Sequence, residues 1–207
     1  MNQLNLIDYV VAREPTLPPL RAGLYDYVLV GNGLYVRSER DGLKAVIPVA
    51  ECTVQGLPSI EPRVELTLPY VPVDLTRALL TRAQQERDWK GRMLEVMYHL
   101  TWDQAAHRWQ MTKPAQRQTS VSVHPIGPFI GTSYETYLIE VHSHHTLACH
   151  DFSPVDDESE AGTFRLFGLL VDIFNEPRLR LRVNVFGHRW EIPASLVFDL
   201  PPELKEM

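Results

Sequence analysis

The sequence predicts an α+β protein, a small β-rich unit followed by a larger mixed core, and three observations lead there. The first seventy or so of its 207 residues carry Tyr- and Val-rich runs broken by Gly, Asn and Asp. One amphipathic helix follows, with an acidic residue placed to cap it. Beyond the helix, alternating residues and short apolar runs read as strands. A chain of this length, 44% hydrophobic, is ample for a main domain and a small companion.

Taken in order, residues 24–30 form a first Tyr/Val run. A Gly31-Asn32-Gly33 turn leads to residues 34–37, and an Arg40-Asp41-Gly42 turn leads to residues 43–49, which together read as a meander of hairpins. The two glycines at 31 and 33 lack the third glycine, the Lys-Ser/Thr pair and the following helix of a nucleotide loop. Prolines at 58, 62, 69 and 72 mark a connector, so the expected domains are 1–70 and 71–207. Asp74 is placed to cap a helix over residues 75–86, with Leu75, Ala78, Leu79 and Ala83 on one face and Gly91 as its stop. Residues 93–102 alternate as a strand, and a turn at 103–105 returns the chain through Trp109 and Met111. Further strands are expected at 119–123 and 137–142. Ser153-Pro154 opens a short helix, since Ser caps well and Pro suits the first turn. Residues 164–174 suit a buried strand or helix, and residues 179–190 alternate Leu, Val and Arg like a strand with one wet face.

Composition narrows the function classes. No apolar stretch approaches the roughly 20 residues that cross a bilayer, and the N-terminus lacks a basic start followed by an apolar run. Cys52 and Cys149 are too few for a disulfide framework, so a reduced, cytoplasmic setting is expected. The net charge of −6 argues against a protein held to nucleic acid by its overall field.

Four of the eight histidines, His142, His144, His145 and His150, fall within nine residues. His142 and His144 stand two apart at the end of an expected strand, so both imidazoles share a face and one ion can touch both. Asp156, in the first turn of the short helix, supplies a third ligand if the loop folds back. Two imidazoles and a carboxylate suit a catalytic Zn²⁺, one per chain, with a fourth position left for water. Each half of the pattern has a plainer reading: histidines on a strand are often hydrogen-bonded structural groups, and Ser153-x-x-Asp156 alone is a helix cap. Both halves at this spacing favour the metal site. His145 points to the other face from His144, and the pattern needs no fourth ligand from His150.

A zinc hydrolase also needs a base for the proton of its water. Glu95, on the expected strand over 93–102 among apolar and uncharged neighbours, is the best candidate, since burial raises a carboxyl pKa. Glu86 belongs to the helix, and Glu140 shares its strand face with His142 and His144, where it is suited to orienting an imidazole.

Glu95-Val-Met-Tyr-His-Leu, then His142-Ser-His144 forty-seven residues on, then Ser153-Pro-Val-Asp156, resembles the JAMM motif of the JAB/MPN metalloproteases over about residues 72–190. The resemblance implies a JAB/MPN-like core, a cytidine-deaminase-like mixed sheet flanked by helices. It further implies that His142, His144 and Asp156 hold zinc, that Glu95 is the general base and that Ser153 stabilises the tetrahedral intermediate. His145 stands where the family usually has proline, which bears on the adjoining loop. The N-terminal Tyr27-Val-Leu-Val-Gly-Asn-Gly-Leu-Tyr-Val-Arg and Ile47-Pro-Val-Ala-Glu-Cys52 are similar to the protein A family of the bacterial ParB-related, ThiF-related cassette. That likeness implies a ubiquitin-like protein as substrate and an E1-like, ThiF-related protein as partner, while the acidic charge and the lack of a long apolar stretch point to no nucleic acid and no membrane. The expected activity is therefore zinc-dependent hydrolysis of a peptide or isopeptide bond, and the rival is a catalytically silent scaffold of the same fold.

Overall fold

The computed structural model describes residues 5–145 and 150–207, so Cys149 lies outside the described residues, while Cys52 is exposed and free. The chain divides into two compact units. The first takes the chain to Pro69 together with Glu160–Phe164 and Val183–Trp190. The second holds Tyr70–Ser159, Arg165–Arg182 and Glu191–Met207.

In the first unit, β1 (Ile7–Val11), β2 (Tyr25–Val30), β3 (Gly33–Arg40), β4 (Leu43–Glu51) and β5 (Arg63–Leu66) make one sheet in that spatial order. β1 runs parallel to β2, and the remaining pairs are antiparallel. The turn between β2 and β3 needs its glycines for space: a Cβ on Gly31 would lie 2.3 Å from the Leu57 carbonyl oxygen. On Gly33 it would lie 2.4 Å from that of Ala50. Val10, Ala12, Val28, Val30 and Tyr35 pack together on one face. Asp26 and Arg37 face each other across β2 and β3 as a buried ion pair at 2.6 Å. Arg37 also donates to the carbonyls of Pro18 and Pro19, which ties the Pro-rich segment to the sheet.

The rest of the chain is mixed. It runs through α1 (Val73–Gln85), β6 (Met97–Asp103), β7 (Arg108–Thr112), the hairpin β8 (Gln116–Gln118) and β9 (Val123–Pro125), and α2 (Ser133–Thr136). Then come β10 (Ile139–Ser143), α3 (Pro154–Glu160), β11 (Phe164–Val171), β12 (Arg178–Val185), β13 (His188–Ile192), a 3-10 turn at Ala194–Leu196, and β14 (Lys205–Glu206). Seven strands form one sheet in the order β13-β12-β11-β10-β6-β7, with β14 beside β12. The central β10 is parallel to β11 and antiparallel to β6, so it is enclosed on both edges, and all five of its residues are buried. The architecture is α+β, with far more strand than helix. No helix among the described residues is long and apolar enough to cross a membrane.

Several elements differ from the sequence reading, each for a physical reason. α1 starts at Val73 after Pro72, and Asp74 sits inside its first turn without capping it. It ends at Gln85, well before Gly91, where Glu86 turns extended. The strand expected from 93 begins only at Met97, because residues 94–96 bond instead to Glu86, Thr119 and Ser143. Residues 119–122 are a turn rather than strand: the Thr119 N–H donates to the Ser122 carbonyl and closes the β8–β9 hairpin. The run over 179–190 is two strands, broken where Phe186 and Gly187 take positive φ of 51° and 99°. Its expected wet face is covered, as Arg182 is only 6% exposed. β1 lies ahead of the first run read as a strand and β5 in the Pro-marked connector, because such short strands show their pairing only in the sheet.

Candidate metal centre

β10 carries Glu140 and His142 toward one side and Ile139, Val141 and Ser143 toward the other, as strand alternation requires, and His144 follows just past its end. His142 lies opposite Met97 on β6 and Leu169 on β11. The His144 N–H donates to the Leu170 carbonyl at 2.9 Å, which fixes the residue just beyond the strand end. α3 brings Asp156 to these imidazoles. One ligand atom from each of His142, His144 and Asp156 lies within 4.8 Å of the others, a spacing that one ion can bridge. His142 Nε2 is 3.3 Å from Asp156 Oδ1. All three side chains are buried or half-buried.

Asp156 is held by its own helix start. The Ser153 N–H and Oγ–H both donate to Asp156 Oδ2, at 2.6 and 2.8 Å, and the Asp156 N–H returns a longer bond to Ser153 Oγ at 3.3 Å. The cap reading and the ligand reading of Ser153-x-x-Asp156 thus coexist: one oxygen is capped, and the other faces the imidazoles. Burial pushes the Asp156 carboxyl up. The His142 imidazole and the Ser153 donors outweigh it and hold Asp156 far below the usual carboxylate range. For His142, burial opposes the charged ring, but Asp156, Glu140 and Glu95 raise its pKa above the ordinary value. Acidic groups converge on the imidazoles, as a cation site requires.

Glu95 sits two residues before β6 and is 5% exposed. Its backbone is pinned by the Thr119 carbonyl, which accepts from its N–H, and by Gln118 Nε2, which donates to its C=O. Burial pushes its carboxyl up to about 7, with His142 pulling down and Asp156 pushing up. The carboxyl therefore senses two members of the cluster.

The remaining candidates point elsewhere. His145 Nε2 lies 3.4 Å from Ser143 Oγ, and its ring tilts against Phe174. The His150 carbonyl accepts from Arg180, and its ring is not part of the cluster. Glu86 pairs with Lys113. Glu140 meets His99 at 3.4 Å across the β6–β10 ladder and also acts through its charge on His142.

Two residues that support the site went unread in the sequence. The Arg182 guanidinium lies over the Phe152 ring, 3.7 Å from its centre, and the His142 ring meets Phe152 edge-on at 6.3 Å. Arg182 also pairs with Asp157 at 2.9 Å, and Arg180 with Asp151 and Glu191. The arginines of the supposed wet face thus hold the segment that delivers Ser153 and Asp156. The alternation of Arg180 and Arg182 was visible, but their acidic partners were not.

Compared with protein-family models and with curated proteins, the chain matches none.

Proposed function

We propose that this chain is a zinc-dependent metallopeptidase of the JAMM type on a JAB/MPN-like core, cleaving a peptide or isopeptide bond to a ubiquitin-like protein. The observation that carries the reading is the convergence of two imidazole nitrogens and a carboxylate oxygen within 4.8 Å, beside a buried Glu95 whose pKa is raised to about 7. The donor set of two nitrogens and one oxygen fits zinc and leaves a position for water. When bound, the ion supplies Lewis acidity to the carbonyl and acidity to the attacking water.

Glu95 then accepts the proton of that water and passes it to the leaving amine, a role matched by a carboxyl pKa near neutrality. Ser153 Oγ lies next to the cluster, and by turning its single O–H from Asp156 to the developing oxyanion it is the group to stabilise that charge, worth about 2–4 kcal/mol in comparable sites, while the Ser153 N–H still holds Asp156. His142, His144 and Asp156 hold the ion, and the extended tail of a ubiquitin-like substrate lies beside them as an added strand.

Purified protein should carry one zinc per chain, and His142→Ala should lose it. Glu95→Gln should keep the zinc and lose at least about 100-fold in cleavage of candidate ubiquitin-like fusions. A Glu95→Gln enzyme that cleaves at the wild-type rate rules Glu95 out as the base. A protein without zinc or cleavage is the silent scaffold.

A further inference from the structure

The two edges of the first unit's sheet are treated differently. β5 is short, follows Pro62, and presents Arg63 and Glu65 as an exposed ion pair, the usual protection of a sheet edge. β1 has no proline and, among the described residues, no ion pair, and Asp8 is its one charged residue. It is five residues long, has no neighbour but β2 among the described residues, and exposes Tyr9 at 74% and Val11 at 56%.

Its backbone shows which groups face the open side. The Leu6 carbonyl accepts from Leu24 and Tyr25, and the Ala12 N–H donates to Leu29. Even-numbered residues therefore turn their N–H and C=O toward β2, and Ile7, Tyr9 and Val11 turn theirs outward. Among the described residues, the outward N–H of Tyr9 is met by the neighbouring Asp8 carboxylate, at 2.9 Å.

We propose that β1 pairs antiparallel with β1 of a second copy of this chain, with the two-fold axis at Tyr9. Three features select this occupant and this register. The outward residues Ile7, Tyr9 and Val11 read aliphatic, aromatic, aliphatic in both directions, the self-complementarity that a two-fold interface requires. Centring on Tyr9 sets Ile7 against Val11 of the other copy and Asp8 against Val10. A dyad one residue earlier would oppose Asp8 to Asp8, a like-charge pair that destabilises the ladder. Tyr9 also stacks on Tyr27 at 5.6 Å, and Tyr27 meets His188 edge-on at 5.4 Å. Tyr9 against Tyr9 continues that aromatic row across the axis, where aromatic cross-strand pairs contribute most. On pairing, the Tyr9 N–H exchanges the Asp8 carboxylate for a strand carbonyl.

Sedimentation of the full chain over a micromolar range tests this. A concentration-dependent dimer is expected, and Tyr9→Lys, which opposes two lysines at an exposed position, should weaken it about tenfold or more with unchanged circular dichroism. Register is read by diamide oxidation in a Cys52→Ser, Cys149→Ser background. Tyr9→Cys should form a covalent dimer and Val11→Cys alone should not, while Ile7→Cys mixed with Val11→Cys should. A monomer throughout the range overturns the proposal, as does a dimer that Tyr9→Lys leaves intact. Cross-linking of Val11→Cys in preference to Tyr9→Cys overturns the register.

Discussion

Glu95 is nearly inaccessible and carries a carboxyl whose pKa rises to about 7 in the ion-free protein, first through burial and then through Asp156, against the pull of His142. A folded-state value above that of the unfolded chain means that folding favours the protonated acid. That contribution is full below the unfolded value, near 4.5, and is lost as pH rises through about 7. Glu95→Gln keeps the shape and removes the titration. Ion-free Glu95→Gln should therefore gain on the wild type between pH 5 and pH 8, by at most about 3 kcal/mol. Denaturant unfolding in chelator at both pH values measures it, and an equal difference at the two would show that Glu95 does not titrate in this way. Asp156 acts with the opposite sign: its depressed pKa stabilises above the unfolded value and is lost only in acid. At this scale the ligand residues were legible, because a two-residue spacing on a strand puts His142 and His144 on one face whatever surrounds them. Glu95 was legible by type and by its apolar neighbours, but its cause of burial, the β8–β9 hairpin over its backbone, was not.

Among the elements, β12 and the start of α3 illustrate what spacing hides. Alternating Arg and Leu predicts a strand with a solvated side, and the strand is present. Its arginines are nevertheless bound to Asp151, Asp157 and Glu191 and to the face of Phe152. Arg182 thus positions the segment that carries Ser153 and Asp156. Arg182→Met should leave the strand intact and weaken zinc binding about tenfold, the usual effect of losing a group behind a metal ligand. Arg182→Lys should recover only part of this, since an ammonium pairs with Asp157 but lacks the planar stack on Phe152. Zinc titration with a competing chelator reads both, and wild-type affinity in Arg182→Met would remove it from the supporting set. Turn chemistry was legible in the first unit, where Gly31 and Gly33 occupy positions with no space for a Cβ.

At the scale of the whole molecule, all three proposed ligands lie in the second unit, on β10, just past its end, and in α3. An ion held there links a central strand to a helix eleven residues further on. Zinc at about a hundred times its dissociation constant should stabilise the protein by about 2.7 kcal/mol. For a chain of this size that corresponds to a rise of roughly 5–10 °C in the thermal midpoint. His142→Ala should abolish the rise. A midpoint indifferent to zinc in the wild-type protein would exclude a folded-state ion at this cluster.

Local chemistry was determined by the sequence alone: the hairpin turns, the alternation of β10, the cap at Ser153 and the types of the groups that meet an ion. These follow from steric limits and strand and helix periods, which act over a few residues. The tertiary structure alone decided that β1 has no strand neighbour but β2 among the described residues, that β10 is enclosed on both sides, and that Arg182 and Phe152 stand behind the site. The same holds for the pairing of Glu140 with His99 across the β6–β10 ladder. Each is a meeting of residues far apart in the chain, and the side-chain pattern of a single strand does not reveal its neighbours.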